Sequence, residues 1–133
     1  MKLSSRFRYG LRLLVELAKN YQKGPVLLRN IAECEKISKK YLEQIVIALK
    51  NAGVVRATRG SKGGYYLIRN PEKITVAEIY RILEGSFTPI DCLDNPQICS
   101  LKNSCQTRKL WSKLSTAIEK VFDNLTLADL LEY

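Results

Sequence analysis

The chain contains no histidine in its 133 residues. The side chain most often used to move protons near neutral pH is therefore missing, along with the usual nitrogen ligand of metal sites. No nucleophile elbow occurs, and no phosphate-binding loop opens a helix after an apolar strand. These absences argue against an enzyme. No apolar run is long enough to cross a bilayer, and the opening MKLSSRFRYG lacks the apolar region of a signal peptide. The expectation is a cytoplasmic protein with no membrane partner. Acidic residues are scarce in one half only. Residues 1–70 hold 15 Lys/Arg against 4 Asp/Glu, a net +11, whereas residues 71–133 hold 7 against 9, a net −2. A one-sided basic excess of this size is the electrostatic mark of a phosphate-binding surface.

The basic half is organised around residues 38–69, SKKYLEQIVIALKNAGVVRATRGSKGGYYLIR. Ser38 is a good N-cap, because its hydroxyl accepts from a free backbone N–H of the first turn. Tyr41, Leu42, Ile45, Val46 and Leu49 recur at helical spacing, and Gly53 supplies a stop. Val54–Thr58 and Tyr65–Ile68 read as two short strands joined by the glycine-rich turn Arg59–Gly64. The pattern predicts a mainly α, winged helix-turn-helix fold with a small two-stranded β-hairpin wing. Its helix would enter a major groove, and its hairpin would lie along the backbone or in a neighbouring minor groove. The candidate DNA-contacting residues are Arg29, Ser38, Lys39, Lys40, Tyr41, Glu43 and Gln44, with Arg59, Ser61 and Lys62 at the wing.

Residues 3–20 read as a first amphipathic helix with a stripe of Leu3, Phe7, Leu11, Leu14 and Ala18, and Leu17 beside it. Arg6, Arg8 and Arg12 lie off that stripe, either on a solvated face or near phosphates. Leu27–Cys34 forms a short second helix with Leu28, Ile31 and Ala32 inward, and Cys34 is expected to be a small buried thiol. Thr75 and Glu78 form a capping-box pattern before VAEIYRILEG, and Gly85 ends that helix. Phe87–Ser104 is a long irregular segment, of the kind that usually carries a function or is disordered. Thr107–Asn124 is a long final helix with the stripe Leu110, Leu114, Ala117, Ile118, Val121 and Leu125. So wide an apolar face needs a partner surface, and a second copy of the chain is the natural candidate. Thr126 should cap one or two further turns. The expected division is a DNA-binding domain over 1–85 and, over 86–133, a cysteine-bearing loop with a dimerisation helix, packed as one compact unit.

Cys92, Cys99 and Cys105 are separated by six and then five residues, without the close pairs of zinc fingers. Thiolates are soft ligands for zinc, copper(I) and iron–sulfur clusters, and three of them on a wrapping loop suit a bulky cluster.

The run RGSKGGYYLIRNPEKITVAEIYRILEG resembles the wing and following helix of the IscR/NsrR/CymR group of bacterial winged-helix regulators, the Rrf family. The opening MKLSSRFRYGLRLLVELA, the helix-turn-helix and the cysteine-bearing loop resemble it too, so the likeness covers essentially the whole chain. It implies a homodimer that binds double-stranded operator DNA. In cluster-binding members it implies sensing of iron, oxygen, nitric oxide or cluster supply, with ligands on Cys92, Cys99 and Cys105 and a 2Fe–2S cluster favoured over 4Fe–4S. IscR-like proteins add a His shortly after the third cysteine; here Gln106, Thr107 and Arg108 fill that stretch. NsrR-like proteins can draw an Asp from the first helix; here Arg8 stands there. The fourth ligand is thus unassigned, with Asp91, Asp94 and Glu16 of a second copy as oxygen donors. The alternative is a cluster-free repressor of the CymR-like type, controlled by thiol chemistry or by a protein partner.

Overall fold

The computed structural model describes residues 2–133. Its centre is helix α1 (Ser5–Lys19), which packs against helices α2 (Leu28–Glu35), α3 (Lys39–Asn51), α4 (Val76–Leu83) and α7 (Leu127–Leu130) and strand β2 (Gly64–Leu67). The Ser4 hydroxyl accepts from the Phe7 N–H at 3.1 Å and starts the helix. Phe7, Leu14, Leu17 and Ala18 are buried, as the periodicity predicts. Leu3 instead precedes the helix and is 40% exposed, Leu11 is half-buried, and Gly10 and Leu13 complete the core face. A helix surrounded by four others buries a wider arc than a single stripe. At Gly10 the approach is close: an added Cβ would press on the Leu83 side chain of α4.

Helix α2 (Leu28–Glu35) ends at Lys36, which adopts the left-handed conformation at φ 55°. That turn drops Ile37 into the core and delivers Ser38 as the cap of α3 (Lys39–Asn51), its hydroxyl accepting from the Tyr41 N–H at 3.3 Å. Leu42, Ile45, Val46 and Leu49 are buried beneath it, and Gly53, at φ 77°, ends the helix region. Burial of each such side chain is worth about 1.5–3 kcal/mol.

The wing is the antiparallel pair β1 (Val55–Thr58) and β2 (Gly64–Leu67), with Val55 opposite Leu67 and Thr58 opposite Gly64. Both strands lie one residue inside their expected outer ends, although Val54 still accepts from the Ile68 N–H at 3.1 Å. A third short piece joins them: Val26, from the connector after α1, bridges to Tyr65.

A 3-10 turn at Pro71–Lys73 leads to α4 (Val76–Leu83). The Thr75 hydroxyl accepts from the Glu78 N–H at 3.1 Å, but only half of the expected box forms. The Glu78 carboxylate is held instead by Arg69 at the end of the wing. The segment read as irregular contains a short helix, α5 (Asp91–Asp94), and a 3-10 turn at Pro96–Ile98. Then come α6 (Arg108–Asp123) and α7 (Leu127–Leu130), the latter closed by a full capping box between Thr126 and Asp129.

The C-terminal segment returns to the core of the first half. Leu127 donates its N–H to the Ile74 carbonyl at 2.9 Å, Val76 donates to Leu125 at 2.8 Å, and the Leu127 side chain is fully buried. Helix α6 touches the body along one edge. There Phe122 meets Phe7, Tyr80 and Phe87, with ring centroids 5.6–6.0 Å away, while Tyr80 stacks on Phe87 at 4.5 Å. Arg81 of α4 bonds Glu119 at 2.7 Å. No residue of α6 is fully buried, and Leu110 and Val121 are each 55% exposed.

Candidate functional site

Two helix starts and the wing converge on one open groove of about 580 Å³, lined by Arg29 of α2, Lys39 and Glu43 of α3, and Thr58, Gly60 and Ser61 of the wing. The fold thus places residues far apart in sequence along one concave strip. Arg29, Ser38, Lys39, Lys40, Glu43 and Gln44 are all exposed, as are Arg59, Ser61 and Lys62. Lys39 lies 3.7 Å from Glu43, an exposed pair at helical i,i+4 spacing worth only about 0.3–0.5 kcal/mol. Both side chains are therefore free to re-pair with a ligand at little expense.

Tyr41 differs from its neighbours. It is half-buried and meets the edge of Tyr9 at 5.8 Å, with the rings 79° apart. Part of its surface is engaged in joining α3 to α1. Arg12 is committed as well: it bonds the Glu35 carboxylate at 2.8 Å and also the Glu35 carbonyl, tying α1 to the end of α2. Sequence periodicity did not show that engagement, because the partner lies 23 residues away. Thr58 and Tyr65, which line the groove, were also missed.

The cysteine loop, between α4 and α6 in the chain, contributes no residue to that groove. Cys92, Cys99 and Cys105 are free and half-buried. Among the described residues their sulfurs do not gather within 4.8 Å of one another. A single zinc ion, with sulfur at about 2.3 Å, would need them closer. Three thiolates are a soft donor set of the kind that zinc, copper(I) and iron–sulfur clusters all accept. Arg108 donates to the Cys92 carbonyl at 2.8 Å and joins the loop to the start of α6. The Cys105 sulfur lies 3.3 Å from the Thr107 hydroxyl. That hydroxyl, the Thr107 and Arg108 N–H groups and the Arg108 charge hold the Cys105 thiol below the ordinary thiol range. Asp94 is already engaged, accepting from Ser86 and Thr88 at 2.8 and 2.5 Å; these bonds lower its pKa.

Cys34 is exposed, contrary to the expectation of a buried thiol. It sits near the C-terminal end of α2, about 60° around the helix from Ile31 and about 120° from Leu28, at the edge of the core-facing stripe and outside its buried part. Its sulfur lies within 4.8 Å of carboxylate oxygens of Glu16 and Glu35. Glu16 bonds Lys19 of its own helix at 2.9 Å.

A family model described as Rrf2, an iron-dependent transcriptional regulator, matches residues 3–133. The chain belongs to the Rrf2 family. The HTH-type transcriptional regulator CymR of Bacillus subtilis is 41% identical over 133 residues, covering 100% of this chain and 91% of that protein. The structure of that CymR, described as the global cysteine regulator of B. subtilis, superposes with a TM-score of 0.86 at 40% identity, covering 100% and 98% of the two chains. IscR of T. potens superposes with a TM-score of 0.82 at 38% identity, covering 99% and 87%. The oxidised form of Staphylococcus aureus CymR gives 0.81 at 40%, covering 100% and 98%. This Rrf2 protein is a transcriptional regulator with a winged helix-turn-helix fold, and it is not an enzyme. No helix among the described residues is long and apolar enough to cross a membrane.

Proposed function

We propose that this Rrf2 regulator binds double-stranded operator DNA as a homodimer, and that an iron–sulfur cluster held by Cys92, Cys99 and Cys105 sets its affinity. The observation that carries the DNA reading is the groove joining Arg29, Lys39, Glu43 and Ser61 within the half of the chain that bears a net +11. Arg29, Lys39 and Lys40 would meet phosphates. Ser38, Glu43 and Gln44 would reach base edges, with Tyr41 at the margin. Arg59, Ser61 and Lys62 would follow the neighbouring backbone or minor groove. The homodimer is supported by the uncovered stripe of α6 and by the wholly apolar hollow between Leu3 and Ala117, Ile118, Val121 and Phe122. A two-fold pairing of this face would set two reading heads against a two-fold operator.

The loop supports the switch. A bound cluster would supply a centre that responds to oxidation and to the supply of iron and sulfide. The chain's own residues would transmit its presence. Arg108 links Cys92 to α6, and Phe87 at the loop's start stacks on Tyr80 of α4. A ligand that favours one loop arrangement shifts the balance between dimer geometries only if its affinity for them differs.

The test is anaerobic purification followed by iron and sulfide assay, visible absorption and electron paramagnetic resonance. Replacing Cys92, Cys99 or Cys105 by Ala is expected to abolish retained iron and sulfide, whereas Cys34→Ala leaves them. Full iron and sulfide in every single variant, or identical operator affinity with and without cluster, would sink the switch. A thiol-based or partner-controlled repressor is then the better reading. The 41% identity with CymR and the exposed Cys34 favour it.

A further inference from the structure

The exposed face of α3 carries one large apolar side chain among charged and polar ones. Ile47 is 57% exposed. At about 100° per residue it falls between Glu43 and Lys40, with Lys39 and Gln44 flanking them. The buried residues Leu42, Ile45, Val46 and Leu49 occupy the opposite side, so the fold itself does not use Ile47. Single exposed apolar residues are ordinary on a protein surface. This one stands in the middle of an exposed strip, one helical turn beyond Glu43, and two members of that strip, Lys39 and Glu43, also line the groove between α3 and the wing.

We propose that Ile47 selects a thymine in the operator through the C5-methyl group of that base. The inference rests on α3 lying in the major groove. There the thymine methyl is the apolar feature of the base edges, whereas guanine, adenine and cytosine present acceptors and amino groups. Isoleucine against a methyl buries apolar surface on both partners. Against a polar edge it would leave a donor or acceptor dry, so the side chain also penalises the wrong base. Its β-branched side chain is stiff about χ1, so little freedom is lost on docking. Four residues of helix advance about 6 Å, and base pairs are stacked about 3.4 Å apart. With α3 running along the groove, the thymine lies about two base-pair steps from the pair that Glu43 meets, toward the C-terminal end of the helix.

The test starts with selection from a randomised duplex pool by the full-length protein and by Ile47→Ala. The wild type is expected to enrich a thymine at one position of each half-site, and Ile47→Ala to lose that preference while keeping the others. Replacing this thymine by uracil, which removes only the methyl group, should weaken wild-type binding about fourfold. The same replacement should leave Ile47→Ala unchanged. The uracil operator needs no protein variant, so folding does not enter. Equal wild-type affinity for thymine and uracil operators, or the same thymine selected by Ile47→Ala, would overturn the inference. A wild-type protein that enriches no sequence at all would overturn the DNA reading beneath it.

Discussion

Val26 and Tyr65 exchange two backbone hydrogen bonds, 2.8 and 2.9 Å long, and so anchor the wing to the connector that precedes α2. A two-stranded hairpin alone is marginal in water. This third contact ties the wing to the helix pair, and it comes close enough to restrict the neighbouring residue.

Gly64 is that residue. Its φ is 139°, and a Cβ there would overlap the Val26 carbonyl. Backbone cannot swing aside as a flexible side chain can. Gly64→Ala is expected to destabilise the protein by about 1–3 kcal/mol, read as a lower urea midpoint. DNA affinity should fall with it as the wing is displaced. An unchanged midpoint would mean that the connector and wing separate without loss.

Arg59 tests the wing's part in binding. It is exposed next to the Gly60 turn, where φ is 100°. Arg59→Ala should weaken binding to all sequences alike and reduce the salt dependence of affinity by about one phosphate contact. Anisotropy titrations at several salt concentrations read both quantities. If neither moves, the wing lies outside the interface.

Glu43 makes a different prediction. A carboxylate near phosphates is unfavourable unless it accepts a bond, and cytosine N4 offers one in the major groove. Glu43→Ala is expected to relax sequence preference, with some non-cognate duplexes bound more tightly than before. A uniform loss of affinity on every duplex would assign Glu43 to positioning Lys39, 3.7 Å away.

Cys105 predicts a pH dependence. The Thr107 hydroxyl and the neighbouring N–H groups favour its thiolate, so the pKa lies below the ordinary thiol value. A lowered thiol pKa keeps the reactive thiolate present at pH values where a free cysteine is protonated. That thiolate is lost as the pH falls through the lowered value. In cluster-free protein, the alkylation rate at Cys105, followed by peptide mass spectrometry, should reach its plateau at lower pH than a free cysteine. Thr107→Val should move the midpoint upward. A profile that stays in place in Thr107→Val would show that the hydroxyl does not hold the sulfur in solution.

Much of the fold was legible because it rests on local chemistry. Ser38, Thr75 and Thr126 each satisfy an N–H three residues ahead, and Gly53 and Gly85 adopt positive φ where their helix regions end. The apolar spacing of α3 marks its buried face correctly, because one side of that helix meets the body and the other stays free. The charge asymmetry and the three loop cysteines are likewise properties of the chain alone.

Tertiary structure decided what depends on contacts between distant segments. Glu78 has the spacing to close a capping box, yet it pairs with Arg69, because the wing brings a guanidinium within 2.5 Å. Cys34 lies within the amphipathic helix α2, three residues after the buried Ile31, and is still exposed, because only Leu28 and Ile31 of that helix are buried in the core. Leu13 is buried because more than one helix covers α1, and Leu127 because the chain's end folds back on Ile74. Periodicity reports which side of an element is apolar. Which other segment arrives to cover that side, or to claim its charges, is settled by packing among segments tens of residues apart, and no local window contains that information.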